Sequence, residues 1–126
     1  RITPDGWERR TGLRLRFVID REKQTLQTTF TATSTYQGYD GIVHGGILCT
    51  LLDEAMAKLS YEMGYDALTA TLDVRFKKPA PILQPLDVRG EIVEVKRKIV
   101  RARAQIADQE GTVLATGTST LVRLLP

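Results

Sequence analysis

The residues best suited to chemistry lie in one stretch, Gly38-Tyr39-Asp40-Gly41-Ile42-Val43-His44-Gly45-Gly46, followed in a helical pattern by Asp53-Glu54. Gly45 and Gly46 occupy the first turn of that helix, where each costs about 1 kcal/mol relative to alanine. Both therefore need a local reason, such as close approach of a ligand to the backbone. N–H groups at a helix N-terminus lack intrahelical acceptors and sit at the positive end of the dipole. They are suited to hydrogen-bond a carbonyl oxygen that gains negative charge, which is how an oxyanion site is built. His44, the only histidine, precedes the turn, and three roles are open to it: capping the helix, holding the loop, or exchanging a proton. Asp53 and Glu54 fall on opposite flanks of the helix's apolar stripe, and periodicity alone does not choose between them. A carboxylate beside apolar surface is a group able to activate water. Cys49, in the first turns of the helix, lacks an evident base partner and reads as a small buried residue.

The elements that must position these groups are legible from periodicity. Leu13, Leu15, Phe17 and Ile19 alternate with polar residues as a first strand, and Leu26, Phe30 and Ala32 lie on one parity of a second, hairpin-related strand. Residues 34–43 carry two glycines and no period, and read as a loop. Ile47, Leu48, Leu51, Leu52, Ala55, Met56 and Leu59 recur at spacings of three and four, predicting a helix from Gly45 to Met63 that ends at a left-handed Gly64. Strand patterns resume at Ala70–Lys77, stopped by Pro79 and Pro81, then at Leu86–Val95 with a phase change that predicts a bulge near Gly90 to Val93. Two more follow, around Val100–Ile106 and Val113–Thr120. The order is α+β: one long helix packed on a five- to six-stranded antiparallel sheet. A single helix covers only part of such a sheet, so a homo-oligomer is expected.

The chain has 126 residues, 42% of them hydrophobic and 26% charged, which fits one globular domain, 1–126, with an irregular N-terminal segment at 1–11. No apolar run approaches the roughly 18 residues of a spanning helix, and no leader pattern opens the sequence, so no membrane partner and a cytoplasmic location are expected. One cysteine excludes an internal disulfide. The net charge of +3 is too mild for a nucleic-acid binder, and the basic stretch lacks interleaved aromatics, so no nucleic-acid partner is expected. Between Arg75 and Arg103, however, nine basic residues face three acidic ones, a local +6 that suits an anionic small molecule.

The triplet His44-Gly45-Gly46, a carboxylate nine residues after His44 in Leu51-Leu52-Asp53-Glu54-Ala55, Thr69-Ala70-Thr71-Leu72-Asp73-Val74-Arg75-Phe76 and Lys78-Pro79-Ala80 come in that order. Together they resemble the hotdog-fold acyl-CoA thioesterases of the phenylacetate-pathway type, a superfamily that includes 4-hydroxybenzoyl-CoA thioesterases. The resemblance spans about Gly12 to Val122. It implies a long helix wrapped by an antiparallel sheet, dimers or dimers of dimers with sites at the subunit interface, and hydrolysis of an acyl-CoA to free acid and CoA. It further implies that Asp53 is the general base or nucleophile and that the Gly45 N–H polarises the thioester carbonyl, with Gly46 and His44 beside it. Glu54 is then secondary, Gln37 is the nearest amide for positioning water or substrate, and Thr69 matches a hydroxyl that assists the water.

For the remainder of the substrate, Arg75, Lys77, Lys78, Arg97 and Lys98 form an unranked pool of candidate phosphate ligands, and Leu48, Leu52 and Met56 are candidates for the acyl pocket, with plain core as the alternative at helical spacing. Thiolate is a good leaving group, so this chemistry needs no metal or redox cofactor, coenzyme A entering as part of the substrate. Two rival readings stay open. A non-catalytic acyl-CoA sensing module would keep its carboxylate away from water. A hydratase would need an acid/base pair next to the acyl chain.

Overall fold

The computed structural model describes residues 15–124; the N-terminal segment with Trp7, and Gly12 and Leu13, lie outside the described residues. The elements run β1 (Val18–Asp20), β2 (Thr25–Thr31), β3 (Gln37–Tyr39), β4 (Ile42–Val43), α1 (Gly45–Glu62), β5 (Ala67–Phe76), β6 (Pro85–Val95), β7 (Ile99–Ala107) and β8 (Val113–Arg123). Six strands form one antiparallel sheet in the order β1-β2-β6-β7-β8-β5, and β3 pairs with β4 in a separate two-stranded hairpin. The α+β architecture is the expected one.

Alpha-helix α1 lies across the sheet and buries Leu48, Leu51, Leu52, Ala55, Met56 and Leu59 against Leu26, Leu86, Val88, Val100, Ile106 and Leu121. Small residues on the sheet let it approach closely. A Cβ added to Gly117 would lie 3.4 Å from the Leu52 side chain, and one added to Gly90 would lie 3.7 Å from Ala55 Cβ. Met63 caps the helix, and Gly64 takes φ +88 beyond it, the left-handed backbone that glycine enters without a Cβ clash.

Three boundaries differ from the periodic pattern. Of the first predicted strand only Val18–Asp20 pairs, with Gln27 back to Thr25; Leu15 is buried by packing without a ladder. The stretch 34–43 is more ordered than an aperiodic loop. It folds as a 3-10 turn at Ser34–Tyr36 and the β3–β4 hairpin, whose tip is turned by Gly41 at φ +76. Strand β5 begins at Ala67, three residues before the predicted start, because Ala67 and Leu68 pair with Arg123 and Val122. The bulge predicted in β6 falls between Ile92 and Glu94, leaving Val93 unpaired.

A second bulge, between Thr69 and Thr71, decides which way the start of β5 points. Leu72 and Val74 pair with Ser119 and Gly117, so they share the face that carries α1. Alternation alone would turn Thr69 to the opposite face. The extra residue, Ala70, resets the parity, and Thr69 pairs with the buried Leu121 and faces the helix. Strand β5 is also an edge strand, and its apolar residues are open, with Leu68 62%, Leu72 37% and Phe76 56% exposed.

Candidate active site

His44 is the N-cap of α1. Its Nδ1 accepts from the Gly46 N–H at 2.8 Å, and its carbonyl accepts from Ile47 and Leu48 at 2.9 and 3.3 Å. Acceptance at Nδ1 puts the ring proton of the neutral imidazole on Nε2. The imidazole sits between two glycines: a Cβ on Gly46 would come within 2.9 Å of Nδ1, and one on Gly38 within 3.0 Å of Cδ2. Gly46 is therefore glycine because of the histidine, and its N–H is engaged by the cap. That corrects the expectation of two available donors. The Gly45 N–H, first in the helix, has no intrahelical acceptor and is the donor left over. A Cβ on Gly45 would meet only the Phe76 ring, at 3.5 Å.

The loop that delivers His44 is pinned from both sides. The His44 N–H donates to Tyr36 O at 2.7 Å, Val43 N–H to Ala80 O at 2.8 Å and Ile82 N–H to Gly41 O at 3.0 Å. Gln37 Oε1 accepts from the Gly41 N–H at 3.0 Å, so this amide closes the hairpin turn rather than reaching toward the carboxylate.

Asp53 faces β5, where Thr69 Oγ1 donates to its Oδ1 at 2.8 Å. Asp53 is half-buried and Thr69 exposed, so water reaches the pair. Accessibility of that kind counts against a carboxylate sealed inside a sensing module. Glu54, expected to assist in positioning substrate, is 6% exposed and hence withdrawn from solvent. One turn further on, Lys58 is 7% exposed and its Nζ lies 3.3 Å from Glu62 Oε2, while Glu62 Oε1 accepts from Arg21. This flank of the helix is structural.

Beside the helix N-terminus a pocket of about 330 Å³ is lined by Ile42, Val43, Gly45, Leu48, Phe76 and Ala80, with Lys77 and Lys78 also at its wall. Of the three acyl-pocket residues expected, only Leu48 lines it. Leu52 and Met56 are 0% exposed and pack on Gly117, so they belong to the core. Ile42, Val43, Phe76 and Ala80 went unnamed as pocket residues because the hairpin that brings two of them here has no period to read.

The cationic pool also separates. Lys77 and Lys78 are tethered beside the pocket by N–H bonds to Leu114 O. Arg75 alternates to the face away from α1, 3.9 Å from Asp73 Oδ1. Arg97 and Lys98 lie in the β6–β7 turn, at the end of the sheet where Ala67 pairs with Arg123, nine residues of β5 from Phe76 and so roughly 30 Å away.

The helix N-terminus thus carries one N–H in reserve beside an apolar pocket with cations at its wall, and a water-accessible Asp–Thr pair lies further along the same helix. The thioesterase superfamily model matches residues 40–115, which includes all three features. The chain belongs to the thioesterase superfamily. It is 30% identical over 107 residues to acyl-coenzyme A thioesterase THEM4 of Mus musculus, a match that covers 83% of this chain and 45% of that relative. It thus spans less than half the length of that relative. Among solved structures, a phenylacetic acid degradation-related protein of Ralstonia eutropha JMP134 is 26% identical with a TM-score of 0.81, covering 97% and 92% of the two chains. A Streptococcus mutans UA159 protein bound to acetyl CoA shares the fold at 22% identity, with a TM-score of 0.82 over 88% and 89%. The helix-and-sheet architecture is the hotdog fold of this superfamily. Among the described residues no helix is long and apolar enough to cross a membrane.

Proposed function

We propose that this chain hydrolyses acyl-CoA thioesters, with Asp53 as general base or nucleophile, Thr69 as its positioning partner and the Gly45 N–H as the carbonyl-polarising donor. Superfamily membership, the activity in the name of the THEM4 relative and the acetyl CoA bound by the S. mutans protein support the substrate class. The observation that carries the reading is the Asp53–Thr69 hydrogen bond on an open edge strand.

Gly45 and Asp53 are eight residues apart on one helix, about 12 Å along its axis, which is too far for both to touch the same carbonyl. A second copy removes the difficulty. Edge strands of this kind pair readily, and β5 paired antiparallel to itself about a two-fold at Asp73, with Ala70 bulged out of the count, sets Leu72 opposite the partner's Val74 and Thr69 opposite the partner's Phe76. The Asp53 of one copy then comes to the Gly45 of the other, on the same side of a continuous sheet. The exposed Leu68, Leu72 and Phe76 are covered in the same event.

In such a site the thioester oxygen takes the Gly45 N–H and gains charge as the carbonyl carbon is attacked. Asp53 either removes a proton from the attacking water or attacks directly, and Thr69 fixes the oxygen it bonds so that the other stays free. The C–S bond breaks and CoA leaves as thiolate. Lys77 and Lys78 attract the phosphates. His44 acts through the backbone, holding Gly46 so that the first turn keeps its shape, and its engaged Nδ1 disfavours the acid/base pair a hydratase needs.

Free-thiol release from a panel of acyl-CoAs tests the activity. The wild-type chain is expected to turn over at least one ester, and Asp53→Asn to lose about a hundredfold or more in kcat, a barrier increase near 2.7 kcal/mol. Binding of acyl-CoA without turnover of any ester would instead favour the sensing module.

A further inference from the structure

Phe76 is the last residue of β5 and one of the most exposed aromatic side chains among the described residues, at 56%. Its ring is also the side chain that a Cβ on Gly45 would meet, at 3.5 Å. A carbonyl held by the Gly45 N–H is therefore held beside the Phe76 ring. From that point the apolar pocket opens between Ile42, Val43, Leu48, Phe76, Pro79 and Ala80.

Resting on the thioesterase reading above, we propose that this pocket takes the acyl group and that Phe76 determines which acyl groups fit. The thioester has two arms. The pantetheine arm carries two amides, which these apolar side chains would leave without hydrogen-bond partners, at a cost that an acyl chain does not incur. The pocket volume of about 330 Å³ is at the small end for ligand sites, so the acyl group selected is compact: a short chain or a single ring, the latter packing against the Phe76 edge. In the two-fold arrangement the partner's Thr69 stands across from Phe76, which closes the pocket mouth and puts the attacking group at the acyl carbon.

The test is kcat/KM for acetyl-, hexanoyl-, phenylacetyl- and dodecanoyl-CoA with wild type, Phe76→Ala, Phe76→Leu and Phe76→Trp. Wild type is expected to favour hexanoyl and phenylacetyl over dodecanoyl. Phe76→Ala should raise the dodecanoyl-to-hexanoyl ratio about tenfold, and Phe76→Trp should lower hexanoyl and phenylacetyl relative to acetyl by a similar factor. Phe76→Leu keeps an apolar side chain of intermediate size and should fall between wild type and Phe76→Ala, which preserves the test if the alanine variant is unstable. Ratios that stay within about twofold of wild type in active variants overturn the inference. So does a change confined to inhibition by free CoA, since that would put the pantetheine arm beside Phe76. Absence of wild-type turnover on every ester is a different failure, one that removes the thioesterase reading itself.

Discussion

Thr69 Oγ1 meets Asp53 Oδ1 at 2.8 Å because one extra residue, Ala70, turns the start of β5 toward the helix. Without the bulge the hydroxyl would lie on the outer face, and Asp53 would look onto Leu68 or Ala70 instead. Bulges are used to re-aim single side chains in this way. The pair links the two most informative carry-overs of the resemblance through a local backbone irregularity.

Thr69→Val keeps the shape and deletes the hydroxyl. It is expected to lower kcat about tenfold or more with KM little changed, since a hydrogen bond to a charged group contributes about 1.5–3 kcal/mol. Thr69→Ser should restore most of the rate. Steady-state kinetics on one good ester, with size-exclusion to verify assembly, checks both.

His44→Ala removes the N-cap of α1 and should cost about 1 kcal/mol, a fall in melting temperature of roughly 4 °C. His44→Asn, which still caps, should recover the stability and most of the activity. An essential proton transfer at His44 would instead leave the asparagine variant as inactive as the alanine one. Thermal melts paired with thiol-release rates separate the two outcomes.

Much of the fold was legible because α1 and the long strands follow their periods, down to Gly64 at the helix end and the bulge in β6. The β3–β4 hairpin was not, since it is held by backbone bonds to Tyr36, Ala80 and Ile82 that leave no repeat in side-chain type. The same gap hid most of the wall of the pocket beside the helix N-terminus. Of the three residues expected to meet the acyl group, Leu48 lines that pocket and Leu52 and Met56 do not, because helical spacing marks all three as apolar without saying which lie under β8. The basic stretch reads as one patch along the chain, yet an antiparallel strand carries its two ends apart. Which carboxylate faces the edge strand was open on periodicity alone; Asp53 has Thr69, and Glu54 is buried.

Leu52→Ala should behave as a core deletion, with a loss of about 2–5 kcal/mol in unfolding free energy by denaturant titration. Leu48→Ala, at the pocket wall, should have the larger effect on KM. Equal stability losses and unchanged kinetics in both would return Leu48 to the core.

Replacing Lys77 and Lys78 together by alanine should raise KM for acyl-CoA roughly tenfold without lowering kcat, and added salt should shrink the difference. Arg97→Ala with Lys98→Ala should have the weaker effect, because that turn, even where the two-fold brings it to this end of the neighbouring copy, stands two strands in from β5. KM measured at low and high ionic strength for the two double variants checks the assignment.

The central claim is that one site draws Asp53 and Gly45 from different copies of the chain, and mixing two inactive variants tests it most directly. Asp53→Asn removes the carboxylate. Gly45→Pro removes the N–H at the first helical position, where proline is tolerated, and His44 at φ −57 and ψ 135 already has the backbone that precedes a proline. Each variant alone should be inactive. Unfolded together and refolded as an equal mixture, they should recover about a quarter of wild-type activity, since half the dimers are mixed and each mixed dimer holds one intact site. No recovery from a mixture shown to contain mixed dimers would contradict the account.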